Sequence, residues 1–527
     1  MANGQKLKAK KTMVASPKDI NPNNEPTVLC PECGVPIPVS MEKCPYCGIR
    51  MPRGCKMLAI RVAVATVAII TAIILLVTFT RCSSNEPYKM VDGVIVCNTP
   101  KRPKGQQDML QFAAEPLDTV RVGFIGLGSR GMGGPKRWSQ IEGTKIVALC
   151  DLKQECIDKA QAILEKAGRP RAAEYTGSEY AWKALCERDD IDLVYVMTPW
   201  EWHVEMTLYA MECGKHVAVE VPAAFTLEEL WQIVDTSERT RKHCMMLENC
   251  IYDFFELTAL NMAQQGVLGE ILHVEGAYVH SLDHSMRRPD RTWRVDHLRK
   301  FRGDAYPTHG LGPLCLVLDI HRGDRFKTLV AMDTKAVMGP DIYASAHGEK
   351  LDDFQNGDQT TTLIRTENGK VIQLHHNIVT PRPYTRDYAL VGTNGYAVKY
   401  PIEAFRIGNE VPEGVNPVSL RAHPFMSNEE RDALMEQYKH PILVEVGSKA
   451  KKVGGHGGMD YIMDYRLVYC VRNGLPLDMD VYDLAEWSCP AALSSISIKH
   501  GSVPVAVPDF TRGAWSRIDG YKFAYAE

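Results

Sequence analysis

Val120-Arg-Val-Gly-Phe-Ile125 runs straight into Gly126-Leu-Gly128-Ser129-Arg130-Gly131, and that junction decides the fold. Six mainly apolar residues at strand length read as a buried β-strand, and the glycines after it allow a tight turn with bare backbone opening a helix. Such a turn lets a pyrophosphate approach the positive end of the helix. A second strand, Lys145-Ile-Val-Ala-Leu-Cys150, follows and is closed by Asp151, placed where a carboxylate accepts hydrogen bonds from an adenosine ribose. The acid favours NAD over NADP, because a 2′-phosphate would meet like charge; Arg130 pulls the other way. The predicted cofactor contacts begin with Gly126, Gly128, Ser129, Arg130, Gly131 and Asp151.

Two more strands, Leu193-Val-Tyr-Val-Met197 and His216-Val-Ala-Val-Glu220, alternate with helical stretches, which is the pattern of a doubly wound parallel sheet. Ligands of such sheets sit at strand ends. Trp200, Glu201, Trp202 and His203 of Thr198-Pro-Trp-Glu-Trp-His203, with Glu220 and Val221 of Glu220-Val-Pro222 and with Asn249, are therefore expected on the nicotinamide side. Beyond residue 250, runs at 270–278 and 360–365 alternate as strands, and Asn368-Gly369 signals a hairpin. The fold class is α/β: a Rossmann domain over 119–250, then an α+β domain over 251–527 with a mostly antiparallel sheet.

The 118 residues ahead of this unit read differently. Residues 1–28 form a polar arm expected to be flexible. Cys30-Pro-Glu-Cys33-Gly and Cys44-Pro-Tyr-Cys47-Gly are paired knuckles that aim four thiolates at one tetrahedral centre, so a zinc ribbon is expected over 29–54. Residues 62–79 carry no charge, and with their flanks predict one transmembrane helix over 57–80. Cys82-Ser-Ser resembles a lipoprotein start, so cleavage or lipidation of this segment stays open. Arg50, Arg53, Lys56 and Arg61 on the N-terminal flank put the ribbon in the cytoplasm and the large domain outside. Residues 81–118 read as a linker.

Net charge is -3 over 527 residues, with 24% charged and 45% hydrophobic, which speaks against nucleic acid as a partner and for a small molecule. The remaining cysteines are scattered without a spacing rule and read as buried thiols. The oligomeric state stays open, a homo-oligomer being compatible with the sequence.

From Thr119 onward the chain resembles the glucose–fructose oxidoreductase and inositol dehydrogenase superfamily, and specifically glycoside hydrolase family 109. The resemblance rests on Gly-Leu-Gly-Ser-Arg-Gly131, Thr-Pro-Trp-Glu-Trp-His203, Glu-Val-Pro-Ala-Ala224, Met-Leu-Glu-Asn249, Glu-Gly-Ala-Tyr278, Tyr306-Pro-Thr-His309-Gly and Gly-His456-Gly-Gly-Met-Asp460. The dehydrogenase branch carries a lysine where this chain has Val221, which makes net alcohol oxidation the weaker alternative. The resemblance implies release of terminal α-linked N-acetylgalactosamine from a glycan, with NAD as a recycled catalyst. It also implies sugar contacts at Tyr278, Arg294, Tyr306, Pro307, Thr308, His309 and Tyr388, with His309 and Tyr306 as catalytic groups. A non-catalytic membrane sensor of sugar or nucleotide is the alternative from another class.

Overall fold

The computed structural model describes residues 25–51, 88–349 and 351–526. Two compact units divide the chain, Met1–Pro87 and Tyr88–Glu527. In the first, β1 (Thr27–Leu29) pairs antiparallel with β2 (Pro36–Pro38). Each cysteine pair closes a matching turn: Gly34 N–H donates to the Cys30 carbonyl and Gly48 N–H to that of Cys44. Both glycines take positive φ, +68° and +75°, a backbone region that costs glycine nothing.

The transmembrane helix expected over 57–80 lies outside the described residues, as does most of the expected flexible arm. Among the described residues no helix is long and apolar enough to cross a membrane, so the expected single-pass membrane location is withdrawn.

The larger unit begins before the expected Thr119. β3 (Tyr88–Val91) and β4 (Val94–Cys97) form a hairpin, and β4 lies parallel to β18 (Val505–Ala506) at the edge of the second sheet. The rest of the expected linker is also tied down. Arg102 reaches the buried Glu238 carboxylate at 2.9 and 3.1 Å, and the Met109 N–H donates to the Tyr482 hydroxyl at 3.0 Å. Weak periodicity hid these contacts because they are all long-range.

The first sheet has six parallel strands: β5 (Val120–Ile125), β6 (Thr144–Cys150), β7 (Ala173–Tyr175), β8 (Leu193–Val196), β9 (His216–Val219) and β10 (Cys244–Met246), in the order β10-β9-β8-β5-β6-β7. β8, β9 and β10 are buried at every position, the mark of strands covered on both faces. Chain order reverses between β5 and β8, and the crevice at that switch point is where such sheets bind ligands.

The second sheet is mixed and larger. It runs β17 (Ala404–Ile407), β16 (Gly395–Val398), β15 (Ala389–Gly392), β11 (Ile271–Val279), β14 (Val371–Asn377), β13 (Thr360–Thr366), β12 (Phe326–Asp333), then β18, β4 and β3. Most neighbours are antiparallel; β11 with β14 and β18 with β4 are parallel. The expected hairpin joins β13 to β14, with Gly369 at φ +86° and Thr366 N–H bonded to the Lys370 carbonyl.

One close approach places the site. Helix Thr308–Val317 crosses β11 so tightly that a Cβ on Gly276 would lie 2.3 Å from the Gly310 carbonyl oxygen, and one on Gly310 would lie 2.4 Å from the Ala277 nitrogen. Only glycine at both positions lets backbone meet backbone, and this brings the first turn of the helix against Tyr278.

Candidate functional site

The glycine turn leaves β5 at Gly126, whose φ of +88° and whose 2.5 Å gap from a notional Cβ to the Met197 carbonyl exclude any side chain. A Cβ on Gly131 would sit 2.1 Å from the Gly126 carbonyl, so this glycine closes the turn upon itself. Gly128 differs, since a Cβ there meets nothing within 4 Å. It is a bare backbone facing a cleft lined also by Ser129, Arg130, Asp151, Lys153, Thr198, Glu201, Trp202 and Trp293. That combination of two sterically obligatory glycines and one open one fits the approach of a dinucleotide phosphate.

Asp151 takes up the glycine turn as well as facing the cleft. Its carboxylate accepts from Leu127 N–H at 2.7 Å and Lys153 N–H at 2.9 Å, which leaves lone pairs for a ribose. Arg130 lines the cleft too, but its guanidinium is taken up by carboxylates. Its guanidinium donates to Glu220 at 2.7 Å and to both oxygens of Asp460 at 2.7 and 3.2 Å. With Arg130 so committed, the case from Asp151 for NAD stands without the counter-pull the sequence suggested.

Asp460 opens the Met459–Asn473 helix and gathers four groups, since Asn249 also donates to it at 2.6 Å and the His456 ring lies 3.0 Å away. Burial would raise its pKa, but the His456 hydrogen bond and the Arg130 and Arg137 charges hold it well below the carboxylate range. The glycine turn, the turn after β10 and the Met459–Asn473 helix are thereby locked together.

Of the strand-end residues, Glu201 and Trp202 line the cleft, whereas Trp200 and His203 do not. Trp200 is buried, donates to the Val221 carbonyl at 3.1 Å and packs against Trp293, His297 and Tyr306. His203 is completely buried, with its ring nitrogens 2.9 Å from the carbonyls of Pro222 and Thr198. Burial lowers its pKa, so the ring is neutral and donates to one of those carbonyls. Both residues brace the strand ends that carry Glu201, Trp202 and Glu220.

Of the residues expected on the sugar side, Tyr278 and His309 line another cavity, together with Asn249, Cys250, Asp253, His280, Tyr384, Arg386 and His456, while Tyr306 and Arg294 pack behind them. Tyr278 and Tyr306 stack at 4.3 Å, and His309 stands edge-on to both. Burial pushes both phenols upward in pKa, so both keep their protons at neutral pH. The His309 Nδ1 lies 2.8 and 2.9 Å from the two oxygens of Glu248, and its Nε2 lies 3.5 Å from the Tyr306 hydroxyl. Arg294 lies over the rings of Trp200 and Tyr306 at 4.7 and 5.5 Å, and one of its terminal nitrogens is buried without a partner. An orphaned cationic donor beside two phenols fits a polyhydroxylated ligand.

Pro307 and Thr308 are buried at the start of the helix that carries His309. Tyr388 departs from expectation. It is sealed in the core against Phe255, its hydroxyl 3.4 Å from the Glu256 carbonyl, and Tyr384 stands at the cavity wall instead. Sequence reasoning also missed Arg386, which lines the same cavity and salt-bridges Asp253 and Glu256. Nothing local marked it. Glu248, by contrast, was visible beside Asn249 at a strand end.

Glu248, Cys250 and His309 present ligand atoms within 4.8 Å of one another, but the Glu248–His309 hydrogen bond accounts for that approach without an ion. In the smaller unit all four cysteines converge, with Cys30 and Cys47 sulfurs 3.5 Å apart and those of Cys33 and Cys44 3.6 Å apart. These are too long for disulfides, which bond at about 2.05 Å, and close to the spacing across a tetrahedron of about 2.3 Å metal–sulfur bonds.

Comparison with known proteins agrees with this layout. Residues 120–248 match the model of the oxidoreductase family, NAD-binding Rossmann fold, and residues 252–517 match that of the glycosyl hydrolase 109 C-terminal domain. Glycosyl hydrolase family 109 protein 1 of Bacteroides thetaiotaomicron is 62% identical over 439 residues, covering 82% of this chain and 93% of the relative. The family 109 protein of Porphyromonas gingivalis is 62% identical over 436 residues, with the same 82% and 93% coverage. Among solved structures, levoglucosan dehydrogenase in complex with NADH superposes with a TM-score of 0.55 at 18% identity, over 74% of this chain and all 100% of that one. Myo-inositol 2-dehydrogenase from Lactobacillus plantarum gives 0.51 at 15% identity, over 74% and 99%. At such identities the likeness concerns the fold.

Proposed function

The chain belongs to glycosyl hydrolase family 109 and is an NAD-dependent glycoside hydrolase, and from that premise we propose that it releases terminal α-linked N-acetylgalactosamine from a glycan. When bound, NAD supplies a reversible two-electron oxidation at C3 of the sugar, which acidifies the C2 proton and allows the C1 substituent to leave by elimination before water adds and C3 is reduced again.

The observation that carries this reading is the packing of Tyr306 against His309, Tyr278 and Arg294, with Tyr278 and His309 sharing a cavity wall with Asn249, which is bonded to the same Asp460 as Arg130 of the glycine turn. His309, with its Nε2 3.5 Å from the Tyr306 hydroxyl, is the base in this reading and takes a sugar proton on that nitrogen. Tyr306, kept protonated by burial, donates to a sugar oxygen as its charge grows. Arg294 holds further sugar oxygens with its unpartnered nitrogen. Carboxylates adjoining the cavity are otherwise engaged: Asp253 pairs with Arg386 and Lys399, and Glu248 with His309. The double-carboxylate route of ordinary glycosidases is thus not what these residues offer.

The test is incubation of the protein with an aryl α-N-acetylgalactosaminide, with and without NAD, following aryl release and reduced nicotinamide separately. Aryl release that needs NAD without accumulating NADH is expected; stoichiometric NADH from free sugar would favour a net dehydrogenase. His309→Ala is expected to abolish release with NAD still bound. The four-cysteine cluster supports a structural zinc in the small unit, checked by one equivalent of zinc per chain that is lost in Cys44→Ser.

A further inference from the structure

We infer that Glu248 is the positioning residue for His309: a completely buried carboxylate that fixes which ring nitrogen carries the proton and shelters the imidazolium formed in turnover. This rests on the proposed role of His309 as proton acceptor.

Glu248 caps the turn after β10, its Oε1 accepting the Cys250 N–H at 3.0 Å. Both its oxygens lie within 2.9 Å of the His309 Nδ1, and its side chain has no solvent exposure. Several other buried acids meet arginines, Asp464 with Arg137, Asp478 with Arg466, Asp483 with Arg322 and Glu256 with Arg386, while Glu486 faces His321, a histidine buried as deeply as itself. Glu248 has a histidine as its ion-pair partner, and that histidine is 15% exposed at the cavity. A buried anion is expensive to keep, and a neutral ring compensates it only in part. The arrangement gains full compensation when His309 becomes cationic, which in the proposed reaction happens once its Nε2 has taken a proton from the sugar.

The carboxylate is also held in place sterically. A Cβ on Gly312 would lie 2.8 Å from the Glu248 Cγ and 3.2 Å from the Trp487 ring, so the side chain is wedged between the helix that carries His309 and the Val481–Lys499 helix. Nδ1 keeps its hydrogen, donated to Glu248 throughout; Nε2 alone gains and returns a proton; Glu248 remains a carboxylate, held by the Cys250 N–H and by the His309 Nδ1.

The experiment compares Glu248→Gln with the native enzyme on the aryl α-N-acetylgalactosaminide, measuring kcat, KM and bound NAD. The near-isosteric amide removes the charge and frees the ring to adopt either tautomer. Expected is a fall in kcat of about 100-fold or more with KM within about threefold and NAD occupancy unchanged. An unchanged kcat, or a loss confined to KM or NAD binding, overturns the inference. If Glu248→Gln does not fold, nitrogen-15 spectra of the native enzyme with labelled histidine decide instead: His309, assigned by its absence in His309→Ala, is expected as the Nδ1–H tautomer, and the Nε2–H tautomer overturns the inference. Should His309→Ala itself remain active, it is the reading of His309 that falls, an outcome distinct from either.

Discussion

Asp460 carries a full charge inside the protein because two guanidinium groups and a histidine surround it. Its pKa is depressed, so the stability it contributes is complete above its unfolded value of about 3.9 and is lost as pH falls below that, through its folded value. Asp460→Asn is expected to cost about 3 kcal/mol at neutral pH, leaving Arg130 and Arg137 undercompensated, with the gap to the native protein narrowing below about pH 4 in urea unfolding. Arg294 makes the opposite prediction, since it stacks on aromatic faces without a carboxylate partner. Arg294→Ala is expected to raise KM about ten- to hundredfold, the loss of one or two charge-assisted hydrogen bonds, with little change in thermal unfolding. Tyr388→Phe, at a residue the family resemblance had placed on the sugar, is expected to leave KM within about twofold because its hydroxyl faces the core.

At the scale of the element, the glycine turn separates two kinds of requirement. Gly131→Ala places a methyl against the Gly126 carbonyl and is expected to destabilise the domain by about 2 kcal/mol or more, seen as a lowered unfolding midpoint. Gly128→Ala meets no protein atom, so unfolding is expected to be unchanged while NAD affinity in equilibrium dialysis falls about tenfold or more. Equal effects at the two positions would contradict the division of labour. The Gly276–Gly310 crossing is a third case, in which glycine serves packing alone and so sets where His309 stands.

For the molecule as a whole, the catalytic unit includes the segment that looked like a linker. Removing residues 1–87 is expected to leave aryl release intact, while removing 1–118 takes away β3, β4 and the Arg102–Glu238 pair and is expected to abolish soluble expression of the enzyme. Chelation of the cysteine cluster is expected to leave aryl release unchanged as well, because the two units are compact separately.

How far the residues spoke for themselves varies with the range of the interaction. The strand, glycine turn and terminal acid at 120–151 are local chemistry, in which conformational freedom and periodicity are written in neighbouring residues, so the Rossmann sheet and its cofactor cleft were legible in the chain alone; the cysteine knuckles were legible for the same reason. The family motifs carried His309, Tyr306 and Arg294 but said nothing of how they meet. Tertiary structure alone decided that Glu248 faces His309 across 61 positions of sequence, that Arg130 is spent on Asp460 330 residues away, that Tyr388 is sealed in the core, and that residues 88–118 belong to the fold. The physical reason is that burial and ion pairing depend on which surfaces the folded chain brings together, a matter no spacing along it records.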